Sequence, residues 1–375
     1  MRDFGKMKRI IIKIGSSSIT TSDLSINKNL IDFLMKSFLD FKKMGIGVAL
    51  VSSGAIALGM HELGLKRKPK EMSLKQACAS VGQAKLMEYY NFFAEKYNLK
   101  CGQILVNHDD FEDRKRMLYL SNTLDAMFKN DIIPILNEND ALAVEEIKVG
   151  DNDTLAALVA PMIDADLLIL FSDIDGLYDK NPKIYNDAKM IEEVSSINDD
   201  IKKMCGTNTS IVGTGGMITK INAAKIVTTA GCNMIICNSN KIERLIDIIN
   251  GENIGTLFIK NENSFTSREH WMIYKTHSKG KIIIDDGCKN ALLNNKISIL
   301  PKGIIGVSNV FLKNSIVDIV DKSNNILAKG ISNYSSSEIS KIQGMESSLV
   351  LSIFGPESKK EVIHANNLVI LKEEF

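Results

Sequence analysis

The chain has 375 residues, 45% of them hydrophobic, with 46 Lys+Arg against 45 Asp+Glu. That length exceeds what one hydrophobic core usually fills, so two domains are expected, and the even charge balance excludes a global field suited to nucleic acid or an anionic membrane. Apolar runs such as residues 132–136 and 167–171 fall far short of the roughly 20 residues of a membrane span. Residues 1–13 mix charges with a short apolar run and lack a secretory pattern, which makes the cytoplasm the simplest address. Six scattered cysteines show no metal-ligand spacing and read as small buried hydrophobes in a reducing compartment.

Residues 9–14 form a β-branched run that predicts the first strand. Behind it stands Lys13–Ile14–Gly15–Ser16–Ser17–Ser18, a cation followed by hydroxyls and backbone amides. Such a turn suits phosphate oxygens, and it equally suits a solvated lysine before an ordinary turn. A helix over 29–44 leads to a strand at 47–51, then to Ser52–Ser53–Gly54–Ala55. There the glycine lets backbone approach an anion at a helix start, while Ser53 alone reads as a helix cap. A helix over 74–97 precedes strand 103–106, and a helix over 120–129 precedes strand 132–136.

Strand 132–136 runs into Asn137–Glu138–Asn139–Asp140, and Gly150–Asp151–Asn152–Asp153 follows before a helix over 154–163. These amides and carboxylates can bind an ammonium, a carboxylate and a lysine together, although Asp151 or Asp153 also fits a helix cap. Strand 167–171 ends at Ser172–Asp173, where a base or ribose could rest. The most distinctive turn is Gly213–Thr214–Gly215–Gly216–Met217–Ile218–Thr219–Lys220, before a helix over 220–230 and a strand at 234–237. Its glycines remove side-chain obstruction, so N–H groups and Lys220 can converge on a phosphate. It matches neither the P-loop nor the dinucleotide-binding pattern.

Strands apolar almost throughout, alternating with helices, predict a three-layer αβα domain around a mainly parallel sheet, whose ligands sit beyond the strands' carboxyl ends. We place this domain at residues 1–260, a polar linker at 261–278 and a small, mostly-β domain at 279–375. In the last, strands are expected at 281–284, 307–312, 316–320 and 326–330, with a helix over 335–342 starting on a serine cap and one or two strands in 361–370.

In this order, Val51–Ser52–Ser53–Gly54–Ala55–Ile56, Gln83, Glu112–Asp113–Arg114, Asn137–Glu138–Asn139–Asp140–Ala141, the block 146–153 and Gly213–Thr214–Gly215–Gly216–Met217 resemble the amino acid kinase family. The resemblance spans nearly the whole chain. Gly287, Leu300–Pro301–Lys302–Gly303–Ile304 and Gly330–Ile331–Ser332–Asn333–Tyr334 resemble a PUA domain.

The block 146–153 resembles the branch that phosphorylates the side-chain carboxylate of L-glutamate with ATP, opening proline biosynthesis. This implies Lys13, Lys220 and Asp153 as the catalytic set, Asp153 holding the two lysines. It implies Ser53, Gly54, Asn137, Asp140 and Asn152 around glutamate: the Ser53–Gly54 turn and Asn137 for the α-carboxylate, Asp140 for the ammonium. Lys13, Gly15, Ser172, Asp173, Thr214, Gly215, Gly216, Met217, Ile218, Thr219 and Lys220 would hold ATP. Mg²⁺ would be bound mainly through the phosphates, with no metal site on the protein itself. Ser172 stands where the family commonly has threonine, and it keeps the hydroxyl.

The resemblance further implies a homo-oligomer (dimer or tetramer), glutamyl phosphate reductase as a functional partner and proline as a feedback inhibitor. Two readings compete. One is a family member acting on a nucleoside monophosphate or an isoprenoid phosphate, whose acceptor turn would favour more cations than Asn137, Asp140 and Asn152 supply. The other is RNA binding through the PUA-like domain. After Tyr274 the chain has 13 lysines and no arginine against ten acidic residues, a basic excess of three without arginine forks.

Overall fold

The structure, a computed structural model, describes residues 1–142, 152–182, 184–198, 201, 216–261, 278–295, 297–355 and 357–371, the side chains of His108, Arg114 and Asn366 excepted. The chain divides into two compact units, Met1–Ser267 and Arg268–Phe375.

In the first unit the strands are β1 (Arg9–Ile14), β2 (Gly47–Ser52), β3 (Lys100–Val106), β4 (Ile132–Glu138), β5 (Leu167–Ser172), β6 (Leu177–Tyr178), β7 (Met190–Ile191), β8 (Glu193–Val194), β9 (Asn233–Asn238) and β10 (Thr256–Phe258). Eight form one sheet in the order β3-β4-β2-β1-β5-β9-β10-β8, and β6 pairs with β7 apart from it. From β3 to β9 every pairing is parallel; β10 returns antiparallel against β9 and pairs parallel with β8. The connections after β1 run to one side and those after β5 to the other. The crevice between the carboxyl ends of β1 and β5 is therefore a topological switch point, where open α/β sheets bind ligands.

The apolar runs follow from burial on both faces. Ile10, Ile12 and Ile14 join Leu167, Ile169 and Phe171 in one core, covered by the helices Lys28–Lys43 and Met72–Lys96. Ile11, Leu168 and Leu170 point the opposite way, into a core covered by the helices Arg114–Lys129, Asn152–Val159 and Met217–Thr229. The αβα layering is thus the one that the alternation of elements predicts.

The turn after β2 does open a helix, Ala55–Glu62. Its eight residues are mostly apolar, too short for a clear period. It packs backbone to backbone on the helix Met72–Lys96: a Cβ added at Gly59 would meet the Cys78 carbonyl oxygen at 1.8 Å, and one at Gly82 the Ala55 oxygen at 1.8 Å. This close approach seats the turn after β2 against the helix that carries Gln83.

In the second unit, β11 (Lys281–Ile284), β12 (Ile304–Ser308), β13 (Ile316–Val320), β14 (Ile326–Ile331) and β15 (Leu368–Ile370) form a sheet in the order β12-β11-β13-β14-β15. Only β11 and β13 pair in parallel. The strand expected at 307–312 lies earlier, because Asn309 takes a left-handed conformation (φ 64°) that ends it. The helix Ser336–Ile342 does start on Ser335, in a capping box with Glu338. The helices Asp286–Asn294 and Ser347–Phe354 are additional to those expected.

No described helix is long and apolar enough to cross a membrane. Cys78, Cys232 and Cys237 are buried, and Cys101 and Cys288 are half-buried; Cys205 lies outside the described residues. Burial pushes the Cys101 and Cys237 thiols up to about 12, which suits packing rather than nucleophilic chemistry.

Candidate active site

Ile11 faces the core beneath the helices Asn152–Val159 and Met217–Thr229, so Lys13, two residues on, projects from the same face at the carboxyl end of β1. Those two helices bring Asp153 and Lys220 to it in their first turns. Lys13 Nζ lies 2.6 Å from Asp153 Oδ1 as an ion pair, and Lys220 Nζ donates a 2.8 Å hydrogen bond to Asp153 Oδ2. The side chains are 11%, 2% and 6% exposed for Lys13, Asp153 and Lys220. Burial pushes the Asp153 carboxyl up; the two lysines outweigh it and hold the group below its ordinary value. The triad thus keeps one net positive charge in a poorly solvated place, and a bound anion would balance it.

Above the triad opens a cavity of about 230 Å³, lined by Lys13, Gly15, Ser16, Ser17, Ser18, Ser53, Asn152, Asp153, Ser172, Asp173 and Lys220, with Ser239 from the turn after β9. A second cavity of about 370 Å³ shares Ser16, Ser53 and Asn152 with it and adds Gly54, Asn137, Asp140 and Lys68. A third, of about 390 Å³, shares Ser17, Ser18, Ser172, Asp173 and Ser239 with the first. Three rooms therefore adjoin along the carboxyl ends of β1, β2, β5 and β9.

The turn after β2 is shaped by Gly54, whose φ of 106° favours glycine and whose added Cβ would meet Ile19 at 3.1 Å. Gly54 is itself the N-cap residue of the helix Ala55–Glu62, with no side-chain cap bond. The alternative reading of Ser53 as a helix cap is therefore overturned: its hydroxyl accepts a 2.6 Å bond from Asn152 Nδ2. Asn137, 3% exposed, is held by Gln83 and Asn152. Asp140 borders both the second cavity and a further one beside β3.

In the glycine-rich turn, Gly213, Thr214 and Gly215 lie outside the described residues, as do residues 146–151 and most of the span expected as a linker. Gly216 is the N-cap residue of the helix Met217–Thr229, and Thr219 Oγ1 donates to its carbonyl at 2.8 Å. Among the described residues of this turn only Lys220 reaches the first cavity; Met217 packs on the core and Ile218 is exposed.

The sequence reading missed two contributors. Asn238–Ser239–Asn240 follows a strand, and the rule that singled out the other turns would have found it. Lys68 sits in a basic run, Lys66–Arg67–Lys68–Pro69–Lys70, that reads as a solvated surface.

The model of the amino acid kinase family matches residues 8–238. The chain belongs to the amino acid kinase family. A PUA domain model matches residues 280–354 of this family member. It is similar to the glutamate 5-kinase of Caldanaerobacter subterraneus subsp. tengcongensis, at 43% identity covering 97% of this chain and 98% of the relative. The glutamate 5-kinase of Thermoanaerobacter sp. (strain X514) is 42% identical over 97% and 98% of the two chains, and that of Carboxydothermus hydrogenoformans 40% identical over 99% and 100%. A solved isopentenyl phosphate kinase from T. acidophilum covers 67% of this amino acid kinase and 99% of itself, at TM-score 0.45 and 17% identity.

Proposed function

We propose that this chain transfers the γ-phosphoryl group of ATP to the side-chain carboxylate of L-glutamate, giving glutamyl 5-phosphate and ADP, the first step of proline biosynthesis. The observation that carries the reading is the shared wall of Ser16, Ser53 and Asn152. On one side of it stands a buried cationic triad, and on the other a cavity with Asn137, Asp140 and Lys68. The names of relatives at 40–43% identity over essentially full length agree with it.

A glutamate side chain has an ordinary pKa of about 4.3, so the acceptor is an anion at neutral pH and needs no general base. The obstacle is repulsion between anions. In this reading Lys13 and Lys220 stabilise charge on the transferring group and the leaving oxygen, with Asp153 holding both. Ser53, Gly54 and Asn137 take the α-carboxylate, Asp140 the ammonium, and Asn152 anchors the same end. Gly15, Ser172, Asp173 and residues 214–220 hold the nucleotide.

Among the described residues, no group of three or more His, Cys, Asp or Glu side chains is placed to hold a metal ion. In this reading Mg²⁺ is carried on the phosphates, and Asp173 is the carboxylate of the first cavity's wall that lies outside the lysine triad. When bound, the ion supplies charge neutralisation between phosphate oxygens.

A phosphate-bearing acceptor would need more cations than the second cavity offers, since among its described residues Lys68 alone stands against Asp140. The test incubates the protein with Mg-ATP, L-glutamate and hydroxylamine. Glutamyl hydroxamate is expected, and none with L-aspartate; ADP release with uridylate but not with glutamate would reject the reading. The same reading extends to a homo-oligomer, to transfer of the product to glutamyl phosphate reductase and to inhibition by proline. Light scattering, coupled assay with the reductase and proline titration check these in turn.

A further inference from the structure

Five side chains from five elements form one unbroken line of hydrogen bonds behind the acceptor cavity. Gln83 Nε2 donates to Gln103 Oε1 at 3.0 Å, and Asn137 Nδ2 donates to Gln83 Oε1 at 3.0 Å. Asn152 Nδ2 then donates to Asn137 Oδ1 at 3.0 Å and to Ser53 Oγ at 2.6 Å.

A primary amide has nearly the same shape either way round, so a line of amides has no inherent direction. Here one bond supplies it. The backbone N–H of Glu138 donates to Asn137 Oδ1 at 2.9 Å, and a backbone N–H can only donate. Asn137 must therefore turn its oxygen to that N–H and its nitrogen to Gln83, which answers with oxygen and turns its own nitrogen to Gln103. On the other side, Asn137 Oδ1 requires a donor, so Asn152 presents Nδ2 there and Oδ1 elsewhere. Among the described residues Asn152 Oδ1 is buried with no hydrogen-bond partner, on a residue that lines both the acceptor and the phosphate cavities. An unpartnered buried acceptor is costly, and a donor from a ligand would relieve it.

We propose that Gln83, with Gln103 behind it, is a positioning residue: by accepting from Asn137 Nδ2 it holds in place the amide that the Glu138 N–H orients, and through that amide it keeps Asn152 with its oxygen presented to the α-ammonium of the amino acid substrate. The proposal rests on the glutamate reading above and deepens it. An ammonium carries three donors, so Asp140 takes one and Asn152 Oδ1 another. Reversed amides would set an N–H against the ammonium and reject it. The polarity of the line therefore selects an amino acid over a plain dicarboxylate.

The test measures the glutamate KM and kcat of Gln83→Leu, Gln83→Glu and Gln103→Leu by hydroxamate formation, together with the Ki of glutarate, which lacks the ammonium. Gln83→Leu removes the acceptor for Asn137 Nδ2 and is expected to raise the glutamate KM by roughly tenfold or more, with kcat and the glutarate Ki changed by less than about threefold. Gln83→Glu keeps that acceptor, and Gln103, exposed at the end of the line, can turn its amide to donate; KM should return to within about threefold of wild type. Gln103→Leu, farther from Asn152 and exposed, should shift KM in the same direction by less. It carries the test should Gln83→Leu fail to fold. Equal KM increases in Gln83→Leu and Gln83→Glu, or a glutarate Ki that rises in parallel with KM, would reduce Gln83 to a packing residue and overturn the proposal. A wild-type chain inactive on glutamate would instead reject the functional reading, and this proposal with it.

Discussion

Replacing Lys220 by methionine keeps most of the side chain's bulk while removing one of the two cations on Asp153. The lost contact is a 2.8 Å charge-assisted hydrogen bond between side chains that are 6% and 2% exposed. Breaking a buried pair by removing one partner costs about 3–5 kcal/mol, and the low end applies here because Lys13 still holds the other carboxylate oxygen at 2.6 Å. The chain should therefore fold with Asp153 still anchored. For turnover, removing one preorganised charge-stabilising donor costs on the order of 10²–10³ in kcat. Lys220 lines the phosphate cavity and not the acceptor cavity, so the glutamate KM should move by less than about threefold. Initial rates of hydroxamate formation, with glutamate and ATP varied separately, separate the two effects. A kcat within about fivefold of wild type, in a variant shown to be folded, would remove Lys220 from the transition state.

Asp140→Ala should act on the other side of the shared wall, raising the glutamate KM about tenfold or more while ATP saturation stays near wild type; unchanged glutamate saturation refutes the assignment. Lys68→Glu should also raise the glutamate KM, and added salt should narrow its difference from wild type, because Lys68 is exposed at the cavity and its field is screened. Gly82→Ala drives a methyl group into the Ala55 carbonyl and should destabilise the first unit by about 3 kcal/mol or more, read as a lower urea midpoint; a stability equal to wild type would refute the backbone-to-backbone packing. The folded-state carboxyl of Asp153 lies below its unfolded value, so its contribution to stability is present above about pH 4 and is lost as pH falls through the folded value. In Lys220→Met one of the two opposing cations is gone, and the acid-unfolding midpoint followed by circular dichroism should move to higher pH.

The parallel sheet was legible because strands buried on both faces leave uninterrupted apolar runs, and the turns at their carboxyl ends were legible because polar, glycine-rich residues interrupt those runs. Lys13, Asp153 and Lys220 are separated by 140 and 67 positions, yet each sits within about one turn of an element boundary that the runs themselves mark. Other features left no such trace. The packing of Gly59 and Gly82 depends on the helix Ala55–Glu62, whose short, mostly apolar sequence has no clear period. Lys68 reads as one of several surface lysines until the fold sets it beside Gly54 and Asp140. The polarity of the amides at 83, 137 and 152 is set by the backbone N–H of Glu138, and backbone donors are the same in every residue except proline.

Two ammonium groups brought into a buried site without Asp153 would oppose each other by about 3 kcal/mol at roughly 5 Å and an effective dielectric near 20. The carboxylate between them removes that cost and leaves one net positive charge at the first cavity, where the proposed reading puts the phosphates. In the proposed reading a glutamate anion lies across the shared wall, and that wall offers the Ser16 and Ser53 hydroxyls and the Asn152 amide rather than carboxylates. Ser53 is decisive there. Its oxygen already accepts from Asn152, which directs its own proton away from that bond. In the proposed reading an oxygen of the α-carboxylate takes that proton, so the amide line that orients Asn152 also orients the Ser53 hydroxyl.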